Sequence, residues 1–393
     1  MNCPQDWPEP IIRVQSLSDS GIPIIPDRFI KPPPDRPVTN TAVNDVNIPL
    51  IDLKGLFGDD SSLKATTLDQ ISQACREWGF FQVINHGVSP RLMDLARDVW
   101  RDFFHQPMEK KQAYANSPRT YEGYGSRLGV QKGAILDWSD YYFLHYLPQC
   151  LKDHKKWPAL PPSLREVMDE YGEELLKLCG RLMKVLSINL GLGEEDLQNA
   201  FGGNNIGTCL RVNFYPKCPQ PDLTLGLSSH SDPGGMTLLL PDAQVPGLQV
   251  RRNNSWITVK PAHHAFIVNI GDQIQVLSNA VYKSVEHRVI VNSGNERVSL
   301  AFFYNPKGLE LPELVARKSW VMMKAFNGYF TRVEVYAHVK LIPRAILKAF
   351  SYTYASGEAT PRIGAGKKNR TYNLRREQIP KSQDKTTSLL FAL

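Results

Sequence analysis

The chain has 393 residues, of which 42% are hydrophobic and 10% aromatic, as is ordinary for a globular protein. Its formal net charge of +7 is spread unevenly: residues 307–393 contain 16 Lys and Arg against 6 Asp and Glu, and residues 1–306 contain 30 against 33. The basic character therefore belongs to the tail, which argues against a nucleic-acid groove in the rest of the chain.

Six scattered cysteines without a CxxC pair favour reduced thiols. The N-terminus lacks the regions of a signal peptide, and no apolar run is long enough for a membrane span. We therefore expect a soluble protein of the cytoplasm, or of the cytoplasm and nucleus, with no membrane or nucleic-acid partner.

The first half of the chain predicts an extended Pro-rich arm over 1–46, followed by helices and two short strands. Apolar spacing predicts strands at 48–53 and 80–84 and helices at 63–78, 90–105 and 163–190. Ser163 and Glu166 have the spacing of a capping box at the start of the last helix.

From about Thr208 onward, short apolar runs alternate with turns, which predicts a double-sheet β core such as a jelly roll and an α+β protein overall. The segment 252–255 between two of these runs is typical of a hairpin turn. The predicted strands are 209–215, 236–240, 248–251, 256–259, 265–270, 287–291 and 298–304.

His230 and Asp232 are separated by one residue, so both side chains lie on one face if the segment is extended. His287 begins another predicted strand. Two imidazoles and one carboxylate are the ligands of non-haem Fe(II) oxygenases, which need open metal positions for O2 and a co-substrate. The same three ligands with a water also suit a zinc hydrolase, although no nearby Glu is an obvious general base.

Arg297 and Ser299 alternate onto one face of the last predicted strand. Taken alone, Arg297 is better interpreted as a surface residue of an edge strand. If it is buried, its planar guanidinium needs an anion, and it suits the carboxylate of 2-oxoglutarate. The ordered set of His-x-Asp, His and Arg-x-Ser therefore predicts an Fe(II)- and 2-oxoglutarate-dependent oxygenase.

With these residues in place, residues 46–306 resemble plant Fe(II)/2-oxoglutarate-dependent dioxygenases, notably in IPLIDL and WGFFQVINHG. The resemblance implies an isopenicillin N synthase-like fold, with a double-stranded β-helix core flanked by helices. Further strings resemble the jasmonate-induced oxygenases, which hydroxylate jasmonic acid and so turn off hormone signalling. These strings are WPEPIIRVQSL, NSPRTYEGYGSRLG, DWSDYYFLHYLP and SVEHRVIVNS.

The resemblance implies roles for three groups of residues. The residues that match the iron ligands are His230, Asp232 and His287. The residues that match contacts to 2-oxoglutarate are Asn213, Tyr215, Arg297 and Ser299. Arg211 matches a residue that pairs with the substrate carboxylate, and a structural ion pair is the competing interpretation. Phe143 can line an apolar substrate pocket, although such aromatics more often belong to the core.

The implied reaction uses Fe(II), 2-oxoglutarate and O2, with ascorbate in support, and hydroxylates a small carboxylic acid, jasmonic acid in particular. The products are hydroxyjasmonate, succinate and CO2, so the enzyme would damp jasmonate signalling in plant defence. No protein acid or base beyond the metal centre is expected to act in the chemistry.

The domain organisation that follows has an N-terminal dioxygenase domain at 47–160, a long support helix and connection at 161–205, and the jelly-roll core at 206–306. The resemblance stops after 306. Residues 307–393 form an atypical basic tail, which we interpret as translated intron or a shifted reading frame. Arg332 and Arg344 do not align with the family's substrate arginines, so the family's closing helix is missing and we expect weak or uncoupled turnover.

Three other functions remain open from the sequence. A flavonoid oxidase similar to anthocyanidin synthase would share every iron and co-substrate residue, and Arg211 separates the two only modestly. A catalytically inactive binding protein is disfavoured by the complete triad. Nucleic-acid binding through the basic tail is the third alternative.

Overall fold

The computed structural model describes residues 7, 9–37, 46–118, 121–126 and 132–306. The predicted tail, with Arg332 and Arg344, lies outside these residues. The helices of the described residues are α1 (Val14–Asp19), α2 (Ser61–Glu77), α3 (Pro90–Phe104), α4 (Met108–Gln112), α5 (Leu164–Asn189), α6 (Asp196–Ala200) and α7 (Asp272–Leu277). None of the described helices is both long enough and apolar enough to cross a membrane.

The described strands form two sheets. They are β1 (Leu50–Asp52), β2 (Phe80–Ile84), β3 (Gly123–Gly125), β4 (Asp140–Leu147), β5 (Gly207–Tyr215), β6 (Leu227–His230), β7 (Met236–Leu240), β8 (Leu248–Arg252), β9 (Ser255–Thr258), β10 (Phe266–Ile270), β11 (His287–Val289) and β12 (Arg297–Asn305). The larger sheet has the order β1-β2-β10-β7-β12-β5-β4-β3, and the smaller has the order β6-β11-β8-β9. Together they form the jelly-roll double-stranded β-helix that the sequence predicts.

Alternation along β5 and β12 separates the core from the site. On β12, Val298, Leu300 and Phe302 join the main apolar cluster that packs against α2, α3 and α5. Since successive side chains of a strand point to opposite faces, Arg297 and Ser299 face the other way, into the space between the sheets. The side chains of strand β5 alternate in the same way, so the polar functional side chains of both strands project from the sheet on the side opposite the main apolar cluster.

Most predicted elements are present, and two local predictions are wrong. Ser163 does not form a capping box, because its backbone is already helical (φ −79°, ψ −9°) and its side chain makes no capping hydrogen bond. The N-terminal arm is not extended throughout, because it contains α1 and packs on the sheets through Val14, Ile25 and Phe29. The predicted hairpin is confirmed: Asn253 and Asn254, both with positive φ, connect β8 to β9.

Candidate active site

The two candidate histidine ligands are direct partners across a pair of antiparallel strands. His230 ends β6 and His287 begins β11, where they stand opposite each other with ring centroids 4.2 Å apart. Asp232 follows β6, and its Oδ1 lies 3.6 Å from the Nε2 atom of each histidine. The three ligand atoms lie within 4.8 Å of one another, so one ion can bind all three.

Hydrogen bonds to the backbone orient both imidazoles. The Nδ1 of His230 lies 2.8 Å from the carbonyl oxygen of Ser228, and the Nδ1 of His287 lies 3.2 Å from that of Val285. Because a carbonyl can only accept, each Nδ1 carries the proton and each Nε2 presents a lone pair. This tautomer is the one that a metal bound between the two Nε2 atoms requires.

The two oxygen atoms of the Asp232 carboxylate have different partners. Its Oδ2 accepts hydrogen bonds from Thr237 Oγ1 and, at 2.8 Å, from Asn269 Nδ2, which leaves Oδ1 facing the histidines. Burial alone would raise the pKa of Asp232, but the two histidines and these two hydrogen bonds hold it below the ordinary value of 3.8. The carboxylate is therefore ionised, as a metal ligand must be.

The surroundings of His230 favour the neutral form of its imidazole. Burial, with a smaller contribution from the nearby His287, lowers the pKa of His230 to about 4. Two imidazoles and an ionised carboxylate are the donor set of a divalent cation, and in the described residues no further His, Cys, Asp or Glu joins them. A three-ligand site with open positions suits non-haem Fe(II), so the residues present fit the metal.

The four candidate 2-oxoglutarate residues form two cross-strand pairs beside the triad. Arg297 on β12 stands opposite Tyr215 on β5, and Ser299 stands opposite Asn213. These side chains lie on the same face of the larger sheet, and all four are buried. The structure therefore brings together residues that are more than 80 positions apart in sequence.

Arg297 is a buried cation without an acidic partner in the described part of the chain. Its side chain is 3% exposed, its Nη1 donates to Ser299 Oγ at 3.3 Å, and its guanidinium lies 5.0 Å from the Tyr215 ring. Its Nε is buried with no hydrogen-bond partner among the described residues. An unpaired donor on a buried cation is costly unless an anion joins it, so this arrangement fits a carboxylate ligand.

Arg211 lies two positions from Asn213 on the same face of β5. It is 5% exposed, donates from Nε to Asn213 Oδ1 at 2.8 Å, and stacks 4.3 Å from the Tyr141 ring. The competing ion-pair interpretation finds no support, because Arg211 forms no salt bridge with any described residue. Arg211 and Tyr141 line a cavity of about 50 Å³, together with Ser126, Ile135, Leu136, Asp137 and Ser139. Phe143 stands opposite Arg211 on β4 and does not line this cavity.

Sequence reasoning missed the residues that support these side chains. Thr237 and Asn269 could have been noticed as polar residues within the otherwise apolar strands β7 and β10. Nothing in the sequence marks Gly226 and Gly247 in this way. A Cβ at Gly226 would lie 2.6 Å from Tyr215 Cδ1, and one at Gly247 would lie 3.1 Å from Arg297 Cδ. Both glycines therefore make room for the candidate 2-oxoglutarate residues.

Two family models match the chain: the 2OG-Fe(II) oxygenase superfamily over residues 206–306 and the N-terminal region of the non-haem dioxygenase in morphine synthesis over residues 48–163. Jasmonate-induced oxygenase 2 of Arabidopsis thaliana is 69% identical over 303 residues, which are 77% of this chain and 82% of that protein. Jasmonate-induced oxygenase 1 of the same plant is 67% identical, over 77% of this chain and 76% of that protein.

Similarity to solved structures agrees with these matches. A crystal structure of JOX2 in complex with 2OG, Fe and JA has a TM-score of 0.72 and 68% sequence identity, and the match covers 77% of this chain and 85% of that one. The protein is a 2-oxoglutarate-dependent dioxygenase with Fe(II) as its metal. The chain thus belongs to the 2OG-Fe(II) oxygenase superfamily, beside the plant jasmonate-induced oxygenases in sequence and in fold.

Proposed function

We propose that this enzyme hydroxylates jasmonic acid, with His230, Asp232 and His287 as the iron ligands. Bound Fe(II) would couple the oxidative decarboxylation of 2-oxoglutarate to oxygen insertion into a C–H bond of the substrate. The relatives' names and the JA named with the JOX2 structure support the choice of substrate. The chemistry of the site supports it independently.

The observation that carries the proposal is a pair of buried guanidinium groups that have no acidic partner among the described residues. Arg211 and Arg297 are 5% and 3% exposed, stand on neighbouring strands of one face, and form no ion pair with a described residue. A buried arginine without a counter-ion is strongly disfavoured, so each predicts an anionic ligand. The site therefore suits two carboxylates at once, a co-substrate acid and a substrate acid.

The two arginines take different acids in this proposal. Arg297, with Ser299 and Tyr215, would hold the distal carboxylate of 2-oxoglutarate, and Asn213 would contact the same molecule. Arg211 would hold the carboxylate of jasmonic acid beside the cavity that it lines. Phe143, which lies opposite Arg211 and outside that cavity, would contact the hydrocarbon part where the substrate extends past Arg211 along β4. The chain's own groups thus bind, orient and exclude water, and they transfer no proton.

The test compares jasmonic acid with its methyl ester, a ligand of almost the same shape without the anionic group. Purified protein is supplied with Fe(II), 2-oxoglutarate, ascorbate and O2, and both hydroxylated product and succinate are measured by mass spectrometry. We expect hydroxylation of the acid and little or none of the ester. Equal turnover of both, or turnover of a flavonoid in preference to the acid, would contradict the proposal.

The ratio of succinate to hydroxylated product tests the sequence-based expectation for the tail. If the tail fails to replace the family's closing helix, succinate should exceed product severalfold in this chain and match it in a full-length jasmonate-induced oxygenase. A chain truncated after residue 306 provides the control. Coupled turnover at the rate of the relative would show that the expectation of an impaired enzyme is wrong.

A further inference from the structure

The N-terminal arm, which lies outside both family-model matches, places a buried lysine beneath one of the histidine strands. The side chain of Lys31 is 5% exposed, and its Nζ lies 2.7 Å from Asp137 Oδ1 and 3.0 Å from Ser228 Oγ. The backbone N–H of Lys31 also donates to the carbonyl of Leu223. Because burying an ammonium costs free energy that pairing with Asp137, whose side chain is 20% exposed, only partly repays, the burial of Lys31 is not explained by stability alone.

Asp137 links Lys31 to β6 through hydrogen bonds with Ser228. Its Oδ2 accepts from the amide N–H of Ser228 at 3.0 Å, and its Oδ1 accepts from the Ser228 hydroxyl at 2.6 Å. The carbonyl of Ser228 is the acceptor that holds Nδ1 of His230. The amide and the hydroxyl of Ser228 are thus fixed by the ion pair, and its carbonyl orients the candidate iron ligand.

The same arm contacts the second histidine strand and the wall of the cavity. Arg288, the residue after His287, donates to the carbonyl of Asp35 at 3.3 Å. Ile25 and Phe29 belong to a buried cluster with Val289 of β11, Val291 and Tyr215. Asp137 itself lines the cavity beside Arg211. The arm therefore contacts both β6, which carries His230, and β11, which carries His287.

We propose that Lys31 and Asp137 are positioning residues that hold the His230 imidazole ready for the metal. The N-terminal arm is then part of the machinery that retains the ion. This inference rests on the proposed function only in taking His230, Asp232 and His287 as the metal ligands. The competing explanation is that the pair stabilises the fold without influence on the metal.

The experiment measures Co(II) binding, by titration of metal-free full-length protein at low temperature, together with the visible absorption of bound Co(II). Lys31→Met removes the ammonium and leaves Asp137 without its cation. We expect Co(II) affinity to fall about tenfold, the lower end of the losses seen when a hydrogen-bond partner of a metal ligand is removed. The absorption spectrum should change as well, because the imidazole is less well held.

Lys152→Met provides a matched control. The side chain of Lys152 is similarly enclosed, at 9% exposed; it pairs with Asp169 and lies 4.2 Å from the Tyr146 ring, away from β6 and β11. This variant should lose stability and yet bind Co(II) with the wild-type affinity and spectrum. If Lys31→Met does not fold, Asp137→Asn replaces it under the same criteria.

The outcomes separate the two proposals. Wild-type affinity and spectrum in Lys31→Met, or an equal loss in Lys152→Met, would overturn the positioning role. A wild-type protein that binds Co(II) no more tightly than His287→Ala would instead refute the assignment of the metal ligands. A loss confined to Lys31→Met or Asp137→Asn supports the inference.

Discussion

Replacing Gly247 by alanine should weaken 2-oxoglutarate binding without touching a ligand of the metal. A Cβ at this position would lie 3.0 Å from the carbonyl oxygen of Ile290 and 3.1 and 3.2 Å from Cδ and Nε of Arg297. The backbone of Gly247 cannot easily retreat, because its carbonyl accepts a hydrogen bond from Ile290 N–H at 2.9 Å. The Arg297 side chain must therefore move by a few tenths of an ångström.

The size of the effect follows from what Arg297 does in the proposed site. A hydrogen bond to a charged group contributes about 1.5–3 kcal/mol, so complete loss of the contact would weaken binding by about tenfold to 150-fold. A small displacement of the Arg297 side chain keeps its charge near the ligand but makes its hydrogen bonds to the carboxylate longer or less well aligned. We expect a loss of about 1 kcal/mol, which is about a fivefold increase in the Kd for 2-oxoglutarate.

Calorimetric titration of 2-oxoglutarate into the Mn(II)-loaded protein measures this Kd without turnover. Gly180→Ala is the matched control, because a Cβ at Gly180 in α5 meets nothing within 4 Å. That variant should keep the wild-type Kd and gain about 0.5–1 kcal/mol of stability from a better helix former. An unchanged Kd in Gly247→Ala, or an equal loss of Mn(II) affinity, would show that this contact does not set the position of Arg297.

Three further predictions concern the metal, the substrate and pH. Asn269→Ala removes the 2.8 Å hydrogen bond to Asp232, so the Kd for Mn(II), measured by calorimetry, should rise about tenfold. Arg211→Met should reduce kcat/KM for jasmonic acid by about tenfold or more and raise the Kd for 2-oxoglutarate much less, because Arg211 meets the co-substrate residues only through Asn213; an equal loss in both would contradict separate roles. Because the pKa of His230 is lowered from 6.5 to about 4, the unfolded chain accepts a proton that the metal-free fold resists. The free energy of unfolding should therefore fall by up to about 3 kcal/mol as the pH drops from about 6.5 towards 4. Urea titrations at several pH values measure it, and in His230→Gln the unfolding free energy should lack this part of its dependence on pH.

The sequence predicts best those elements whose pattern is local. Strand β2 begins and ends at the predicted residues, and α3 differs by one residue at its end, because periodicity and flanking turns define both. Strand β4 was not predicted as a strand. Its residues are buried on both faces, so Asp140–Leu147 shows no alternation, and an aromatic-rich segment of this kind is ambiguous in sequence. Helix α1 was missed because its short span is stabilised by contacts with Asp140, far away in the chain.

The site shows the same division between local and long-range information. His230, Asp232 and Arg297 could be predicted because their spacing is itself a chemical signal. The roles of their supporting residues could not be predicted, even where a polar residue stands out in an apolar strand, because each role depends on strand pairing or packing that the sequence does not display. Asn269 is useful only because β10 brings it to Asp232, and Lys31 only because the arm passes behind β6.

Strand register explains why iron and co-substrate residues are predictable together and the substrate residues are not. His230 opposes His287, and Tyr215 opposes Arg297, so a slip of one residue in either pair would turn a functional side chain to the wrong face. The fold therefore cannot form correctly without assembling the reactive centre. The cavity beside Arg211 depends instead on residues 134–139 and on the arm behind them, where the backbone of Arg28 pairs with Leu136. Apart from Lys31 and Asp137, these segments can vary without disturbing the register, so selection for a new substrate can act on them while the reaction at the metal stays the same.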